Sequence, residues 1–201
     1  MNNAKKKKNR ILIVSQFYYP DVTAAAFRIK ETADLLAEKG YGVYVITAEP
    51  HKALTNDLNG SINDGKIKVI RVPIAKAEGS GLLNYLRHYF SFMIGAIIAS
   101  WRYYSRFDIV WASSPPLFVG VAGWIIAKLK KAKFVLDIRD LWPESAVVAG
   151  QISADGMLFK FAKIVERFLY RSADKITCVA RPMAEYIANT ANVPPPTLIY
   201  N

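Results

Sequence analysis

Residues 10–48 read RILIVSQFYYPDVTAAAFRIKETADLLAEKGYGVYVITA, and this stretch decides the fold. Arg10 to Ser15 is a short run rich in β-branched residues, which suits a buried strand. From Ala24 to Lys39 the apolar residues Phe27, Leu35 and Leu36 stand among charged neighbours at helical spacing, and Gly40 stops the helix. Val43 to Thr47 is a second strand. A strand, a helix and a strand of this kind make a βαβ unit, whose two strands run parallel.

The pattern continues outward. Strands are expected at 66–72, 108–112, 134–138 and 175–179, with a last one beginning at Thr197. Helices are expected at 82–104, 117–131, 157–170 and 182–190, and the polar stretch His51 to Gly65 reads as a surface loop. Nearly continuous apolar strands separated by helices predict an α/β fold, a Rossmann-like doubly wound parallel sheet covered on both faces. Such sheets bind ligands beyond the carboxyl ends of their strands. The loops to inspect are therefore 16–23, 113–116, 139–150 and 180–182.

Composition bounds the rest. The 201 residues, 52% of them hydrophobic, suffice for one domain with a sizeable core. Residues 1–9, with Lys5 to Lys8, read as a basic disordered tail, and residues 10–201 as the domain. The single cysteine, Cys178, lies in an apolar run and excludes a disulfide framework. No signal-peptide pattern follows the basic start, which leaves a cytoplasmic location by elimination. A net charge of +11 calls for an anionic partner, but no nucleic-acid-binding motif accompanies it.

Several chemistries are excluded by pattern. Gly40-Tyr41-Gly42 lies after a helix, where a dinucleotide fingerprint would have to follow a strand. There is no Walker A sequence, no pair of aspartates two residues apart, and no serine elbow. His51 and His88 lack neighbours at ligand spacing, so no metal site is expected.

Three segments carry chemistry. Asp137-Ile138-Arg139-Asp140-Leu141-Trp142-Pro143-Glu144-Ser145 places three carboxylates and a guanidinium at the carboxyl end of a strand. Arg139 offers a fork for phosphate or carboxylate, and Asp140 an acceptor for a proton or a hydroxyl. The alternative is an ion pair of Arg139 with Asp137 or Glu144 that orders the loop. The turn Gln16 to Ala26 offers Asp21 or Thr23 as a helix cap, and three small alanines beside free backbone N–H groups suit an anion. An ordinary capped helix explains the same residues, and Arg28 one turn on meets an anion or points at solvent. Ser113-Ser114-Pro115-Pro116, after the strand at 108–112, is weak by itself.

Together these segments resemble glycosyltransferase family 4. The residues that carry the likeness are the Tyr18-Tyr19-Pro20 loop, Leu36-Ala37-Glu38-Lys39-Gly40 before the second strand, Asp108-Ile109-Val110-Trp111-Ala112-Ser113-Ser114, and above all Arg139-Asp140-Leu141-Trp142-Pro143. The nearest branch builds bacterial capsule, colanic-acid-like and O-antigen sugars. The resemblance implies the N-terminal, acceptor-side domain of a GT-B fold. Its reaction would be sugar transfer with retention of configuration, without a metal or other cofactor and with a nucleotide sugar as co-substrate.

By the same resemblance Arg139 and Asp140 are the candidate catalytic residues. Tyr19, Asp21, Thr23, Ala24, Arg28, Ser113, Ser114, Trp142 and Glu144 are the candidate substrate-binding residues. Two features depart from the family: Ala24-Ala25-Ala26 stands where many members have Gly-Gly, and no two glutamates lie eight positions apart. The C-terminal donor-binding domain is therefore expected to be absent, whether through gene splitting or truncation, and an active enzyme half would join a donor-binding domain in a separate chain. The alternative is a non-catalytic acceptor-binding or scaffolding module, or an inactive remnant.

Leu82 to Arg106 is rich in aromatic residues and flanked by Arg87, Arg102 and Arg106. Its charge-free centre, Tyr89 to Trp101, is shorter than the roughly 20 apolar residues a bilayer crossing needs. It suits a helix at headgroup level, and lipid-linked glycan acceptors would bring the domain to the inner face of the plasma membrane, with Lys5 to Lys8 assisting. A core helix over one sheet face is the other reading.

Overall fold

The computed structural model describes residues 9–50, 67–75, 82–102 and 106–200. The loop expected at 51–65, the tail residues 1–8, and Tyr103 and Tyr104 lie outside the described residues. Seven strands form one sheet: β1 (Arg10–Val14), β2 (Gly42–Ala48), β3 (Ile67–Val72), β4 (Ile109–Ser114), β5 (Lys133–Ile138), β6 (Lys175–Cys178) and β7 (Thr197–Leu198). Six helices join the described strands: α1 (Ala24–Glu38), α2 (Leu82–Arg102), α3 (Leu117–Lys130), α4 (Glu144–Val148), α5 (Met157–Ser172) and α6 (Arg181–Ala191).

All six strand pairs are parallel, in the order β3-β2-β1-β4-β5-β6-β7. The chain winds outward from β1 one way, then returns and winds the other way from β4. Right-handed crossovers then place α1 on one face and the later helices on the opposite face. Two apolar clusters follow from this. Ile29 and Ala33 of α1 cover Ile11, Ile13, Val43 and Val45, while α2, α3, α5 and α6 cover Leu12, Val14, Val110, Leu136 and Ile176. Successive residues of β1 thus feed opposite cores, which is why the whole strand is apolar.

The junction between β1 and β4, where the winding reverses, is the switch point at which such sheets open a crevice. The elements around it differ from the sequence reading in two places. Ser113 and Ser114 are the last two residues of β4, in register with Asp137 and Ile138, and not part of a loop. Polar side chains hid this extension from a pattern that counts apolar residues. The segment 139–150 also contains α4, which is only five residues long. Its signals were Glu144 in the first turn, favoured by the helix dipole, and Gly150 at φ +68° just past the end.

Close approach of α3 to the sheet depends on Gly123. A Cβ at that position would stand 2.4 Å from Ala112 Cβ and 3.1 Å from Phe134 Cε2. No rotamer can relieve the first contact, because Ala112 has none to change. Gly123→Ala is expected to push α3 off β4 and to destabilise the domain by about 1–3 kcal/mol, read as a lower urea midpoint at unchanged slope. A midpoint equal to that of the unsubstituted chain would show that α3 has room to move.

Candidate functional site

The crevice is organised by one carboxylate. Asp137 near the end of β5 is fully buried, and its registered neighbours are Ser113 on β4 and Thr177 on β6. Parallel pairing therefore sets three polar side chains in a row on one face of the sheet. Thr177 Oγ1 donates to Asp137 Oδ1 at 2.6 Å, and Ser113 Oγ donates to Oδ2 at 3.1 Å. Two guanidinium groups complete the shell: Arg28 Nη1 donates to Oδ2 at 2.9 Å and Arg139 Nε at 2.8 Å. Arg28 Nη2 also donates to Ser113 Oγ at 2.8 Å, and Arg139 Nη1 to the Ile199 carbonyl at 3.0 Å. Burial lowers the Arg28 pKa, and the charge of Asp137 works against that shift.

Two alternatives that the sequence leaves open are narrowed here. Arg28 does not point freely at solvent, because α1 carries it down onto Asp137, 109 positions away in sequence. Arg139 makes the ion pair with Asp137, whereas no pair with Glu144 forms among the described interactions. Ser113 belongs to this shell, while Ser114, also buried, contributes its carbonyl to the Arg139 backbone N–H at 2.9 Å.

Above the shell lies the start of α1. Thr23 is its N-cap, with Oγ1 accepting from the Ala26 N–H at 3.1 Å. Of the two capping candidates it is the one used, and Asp21 is buried instead. Arg71 on β3 donates from Nη2 to the Tyr19 carbonyl at 2.7 Å. Burial lowers the Arg71 pKa, opposed by the nearby Asp21 carboxylate. The Tyr19 ring lies 5.9 Å from the Lys30 ammonium. Ala24, Ala25, Phe27, Arg28, Glu31 and Arg139 line a cavity of about 360 Å³ here. The small alanines keep it open, and two guanidinium groups give it a positive wall.

Asp140 follows Arg139 in sequence but lines a different cavity. Its exposed carboxylate borders a space of about 230 Å³, together with Phe17, Tyr89, Pro115, Trp142 and Gln151 among others. Trp142 is buried and meets the Phe118 ring edge-on at 6.3 Å. That packing fixes the loop that carries Asp140. Aromatic rings beside an exposed carboxylate suit a hydroxyl-rich ligand: the rings take its C–H faces and the carboxylate accepts its O–H groups.

Glu144, expected to bind substrate, is held in a clasp between α4, α5 and α6. Lys163 Nζ donates to Glu144 Oε1 at 2.9 Å and also to Glu166 and to the Tyr186 hydroxyl, which itself donates to Glu144 at 2.5 Å. Glu166 is fully buried and accepts from the Tyr170 hydroxyl at 2.9 Å. Burial raises the Glu166 pKa. Burial opposes ionisation of Glu144 as well, but the Tyr186 and Lys163 hydrogen bonds outweigh it and leave its pKa lowered. Among the described residues no three His, Cys, Asp or Glu side chains gather as a metal ion would need. Cys178 is buried, as its apolar run indicated, and burial raises its pKa.

The structure thus brings Arg28 and Arg139 together with Ala24 in one wall, with Ser113 bonded to Arg28 in the buried shell, and sets Asp140 and Trp142 in the next. Sequence reasoning left out of its site Asp137, Thr177, Phe17 and Tyr89. Asp137 was legible, since a carboxylate inside the apolar strand Phe134-Val135-Leu136 must find partners. Tyr89 was not, because only the packing of α2 beside α3 brings it to the crevice.

Comparison with known proteins shows the family and the fold. Residues 23–201 match the family described as the glycosyl transferase 4-like domain. Among curated proteins, the probable glycosyltransferase WbjE of Pseudomonas aeruginosa is 26% identical over 89 residues, which cover 44% of this chain and 22% of WbjE. Among solved structures, HepE of Anabaena in complex with UDP-glucose superposes with a TM-score of 0.55 at 12% identity, over 96% of this chain and 43% of HepE. Its complex with UDP and glucose gives 0.56 at 13% identity, with 96% and 44% covered. The chain spans less than half the length of these relatives. The likeness to HepE shows a shared fold, that of the N-terminal domain of GT-B enzymes.

Proposed function

This chain belongs to the glycosyl transferase 4-like domain family, and from that premise we propose that it is the acceptor-binding half of a retaining glycosyltransferase. It receives a glycan acceptor carried on a lipid, for surface polysaccharide biosynthesis at the inner face of the plasma membrane. The observation that carries this reading is the open cavity where the Asp140 carboxylate stands beside Phe17, Tyr89 and Trp142. It lies beyond the carboxyl ends of β1, β4 and β5, where doubly wound sheets bind ligands.

In this reading Asp140 accepts a hydroxyl of the acceptor, and Trp142 and Tyr89 hold its ring. The cavity at the start of α1, with Arg28 and Arg139 in its wall, faces the donor phosphates; cation and helix N-terminus both favour that charge. A nucleotide sugar as co-substrate is supported by HepE, a protein of like fold solved in complex with UDP-glucose. The donor-binding domain is supplied from outside these residues. A cleft with one wall binds but does not transfer.

The test is a transfer assay on membrane lipids with the chain alone, with a donor-binding domain of the family, and with both together. Sugar incorporation only in the combined sample is expected. Turnover of an activated sugar by the 201-residue chain alone at an enzymatic rate would overturn the reading.

A further inference from the structure

The segment that carries Asp140 is held at both ends. At its start Arg139 bonds to Asp137 and to the Ile199 carbonyl. At its far end α4 begins with Glu144, and Ser145, Ala146 and Ala149 of that helix line the Asp140 cavity. Five residues are too few for a helix to stand by itself. Its N-cap, Pro143, supplies no side-chain hydrogen bond either. Contacts from outside the segment therefore set where α4 lies.

Among the described residues, Glu144 makes the only side-chain hydrogen bonds from α4 to another helix. Its Oε1 accepts from Lys163 Nζ of α5 at 2.9 Å and from Tyr186 Oη of α6 at 2.5 Å. Lys163 uses all three of its N–H donors in this clasp, on Glu144, Glu166 and the Tyr186 oxygen. Burial works against that cation, but the three hydrogen bonds outweigh it and raise its pKa. Neither Lys163 nor Tyr186 lines the Asp140 cavity, and an ammonium with its donors occupied has nothing left to offer a ligand. Joining α5 to α6 does not need the clasp, since Arg171 Nε donates to the Ala191 carbonyl at 2.9 Å. Stability does not explain it either, because apolar residues in place of a buried charge cluster are commonly as stable or more so. What a polar network of this kind adds is one fixed arrangement. The element it fixes here is α4.

We propose that Lys163 and Tyr186 are positioning residues for sugar transfer: by holding Glu144 they fix α4, and through it the place of Asp140 against the acceptor hydroxyl. This deepens the acceptor reading and rests on it. Asp140 stands between two anchors, Arg139 on one side and Glu144 on the other, and the second is set by helices that never meet the acceptor.

Two variants cut the clasp from opposite sides. Glu144→Ala removes the α4 member and leaves the Lys163–Glu166 ion pair whole. Lys163→Met is paired with Glu166→Gln, so that no buried carboxylate loses its counter-charge. Hydrogen exchange of the full chain is followed by mass spectrometry, and transfer is measured with a donor-binding domain of the family. In both variants the amides of 139–150 are expected to exchange about tenfold faster or more, while those of α6 keep their protection. The kcat falls about tenfold or more and KM moves less, because Phe17 and Tyr89, outside the segment, still hold the acceptor. Tyr186→Phe removes one of the two bonds to Glu144 and gives a smaller change of the same kind. Placed on Asp140→Ala, the α5 double variant lowers kcat no further, since its effect runs through that carboxylate. Glu144→Gln, whose amide oxygen still accepts from both donors, recovers most of the loss. Lys160→Met, exposed on α5 outside the clasp, changes neither readout.

No faster exchange in 139–150, or an equal rise in α6, overturns the proposal and leaves the clasp a staple between helices. An unchanged kcat in the α5 double variant overturns it too, as does a loss that persists in full on the Asp140→Ala background. If transfer drops on Asp140→Ala and not on the clasp variants, this proposal fails alone. If Asp140→Ala transfers at the unsubstituted rate, the acceptor role of that carboxylate fails and takes the proposal with it.

Discussion

Asp137→Ala is expected to destabilise the domain by about 3–5 kcal/mol, the cost of breaking a buried ion pair from one side. The carboxylate accepts from four side chains, two of them guanidinium groups, in a site with no exposure to solvent. Removing it leaves the partly buried Arg28 without its counter-charge, beside a second cation at Arg139. Arg28 is already disfavoured as a cation by burial, and Asp137 is what opposes that tendency. Asp137→Asn keeps the shape and some hydrogen bonds but not the charge, so it falls between the two. Thr177→Val removes one hydrogen bond and costs about 1 kcal/mol. The order is read from urea midpoints with far-UV circular dichroism. A loss below that of Thr177→Val on Asp137→Ala would mean that water replaces the carboxylate freely, and the shell would then not be a structural unit.

This result bears on how Arg139 is understood. If Asp137→Ala and Arg139→Met lower stability alike, Arg139 acts chiefly through the shell, as a positioning residue for the Asp140 loop. If Arg139→Met leaves stability intact but weakens transfer by the combined domains, the guanidinium acts on the donor phosphates directly. Its place in the wall of the cavity at α1 permits the second role, and its contacts with Asp137 and Ile199 demand the first.

The fold was largely legible because a parallel sheet covered on both faces writes itself as apolar runs. Leu12 and Ile13 feed opposite cores, so neither position tolerates a polar residue. Legibility failed where side chains are polar and their partners distant. Nothing near Arg28 hints at Asp137, because the contact exists only once β5 lies two strands from β1. Ser113 and Ser114 looked like loop residues because a strand that ends in a polar crevice stops being apolar before it stops pairing. Glu144 was placed in the site by its motif, yet its partners, Lys163 and Tyr186, come from helices further along the chain. The apolar outer face of α2 and α5 was half seen. The aromatic content of α2 was plain, whereas α5 was expected only as a helix, and its exposed apolar residues between the charges at Lys160, Lys163, Glu166 and Arg167 emerge from the packing alone.

Asp140→Ala is expected to lower sugar transfer by the chain and a donor-binding domain together by about 10²–10⁴-fold, the range for losing a positioned acid–base group. Stability should move by less than about 0.5 kcal/mol, because the side chain is exposed and no structural contact depends on it. This pairing of a large kinetic effect with a small structural one separates Asp140 from Asp137, three residues earlier. Asp140→Asn tells the two possible tasks apart. If the carboxylate only accepts a hydrogen bond from the acceptor, the amide oxygen does so nearly as well, and KM rises while kcat is held. If it takes a proton as the acceptor hydroxyl attacks, the amide cannot, and kcat falls with it. Transfer at the unsubstituted rate by Asp140→Ala would remove the carboxylate from the chemistry and leave the cavity a place where the acceptor is held but not activated.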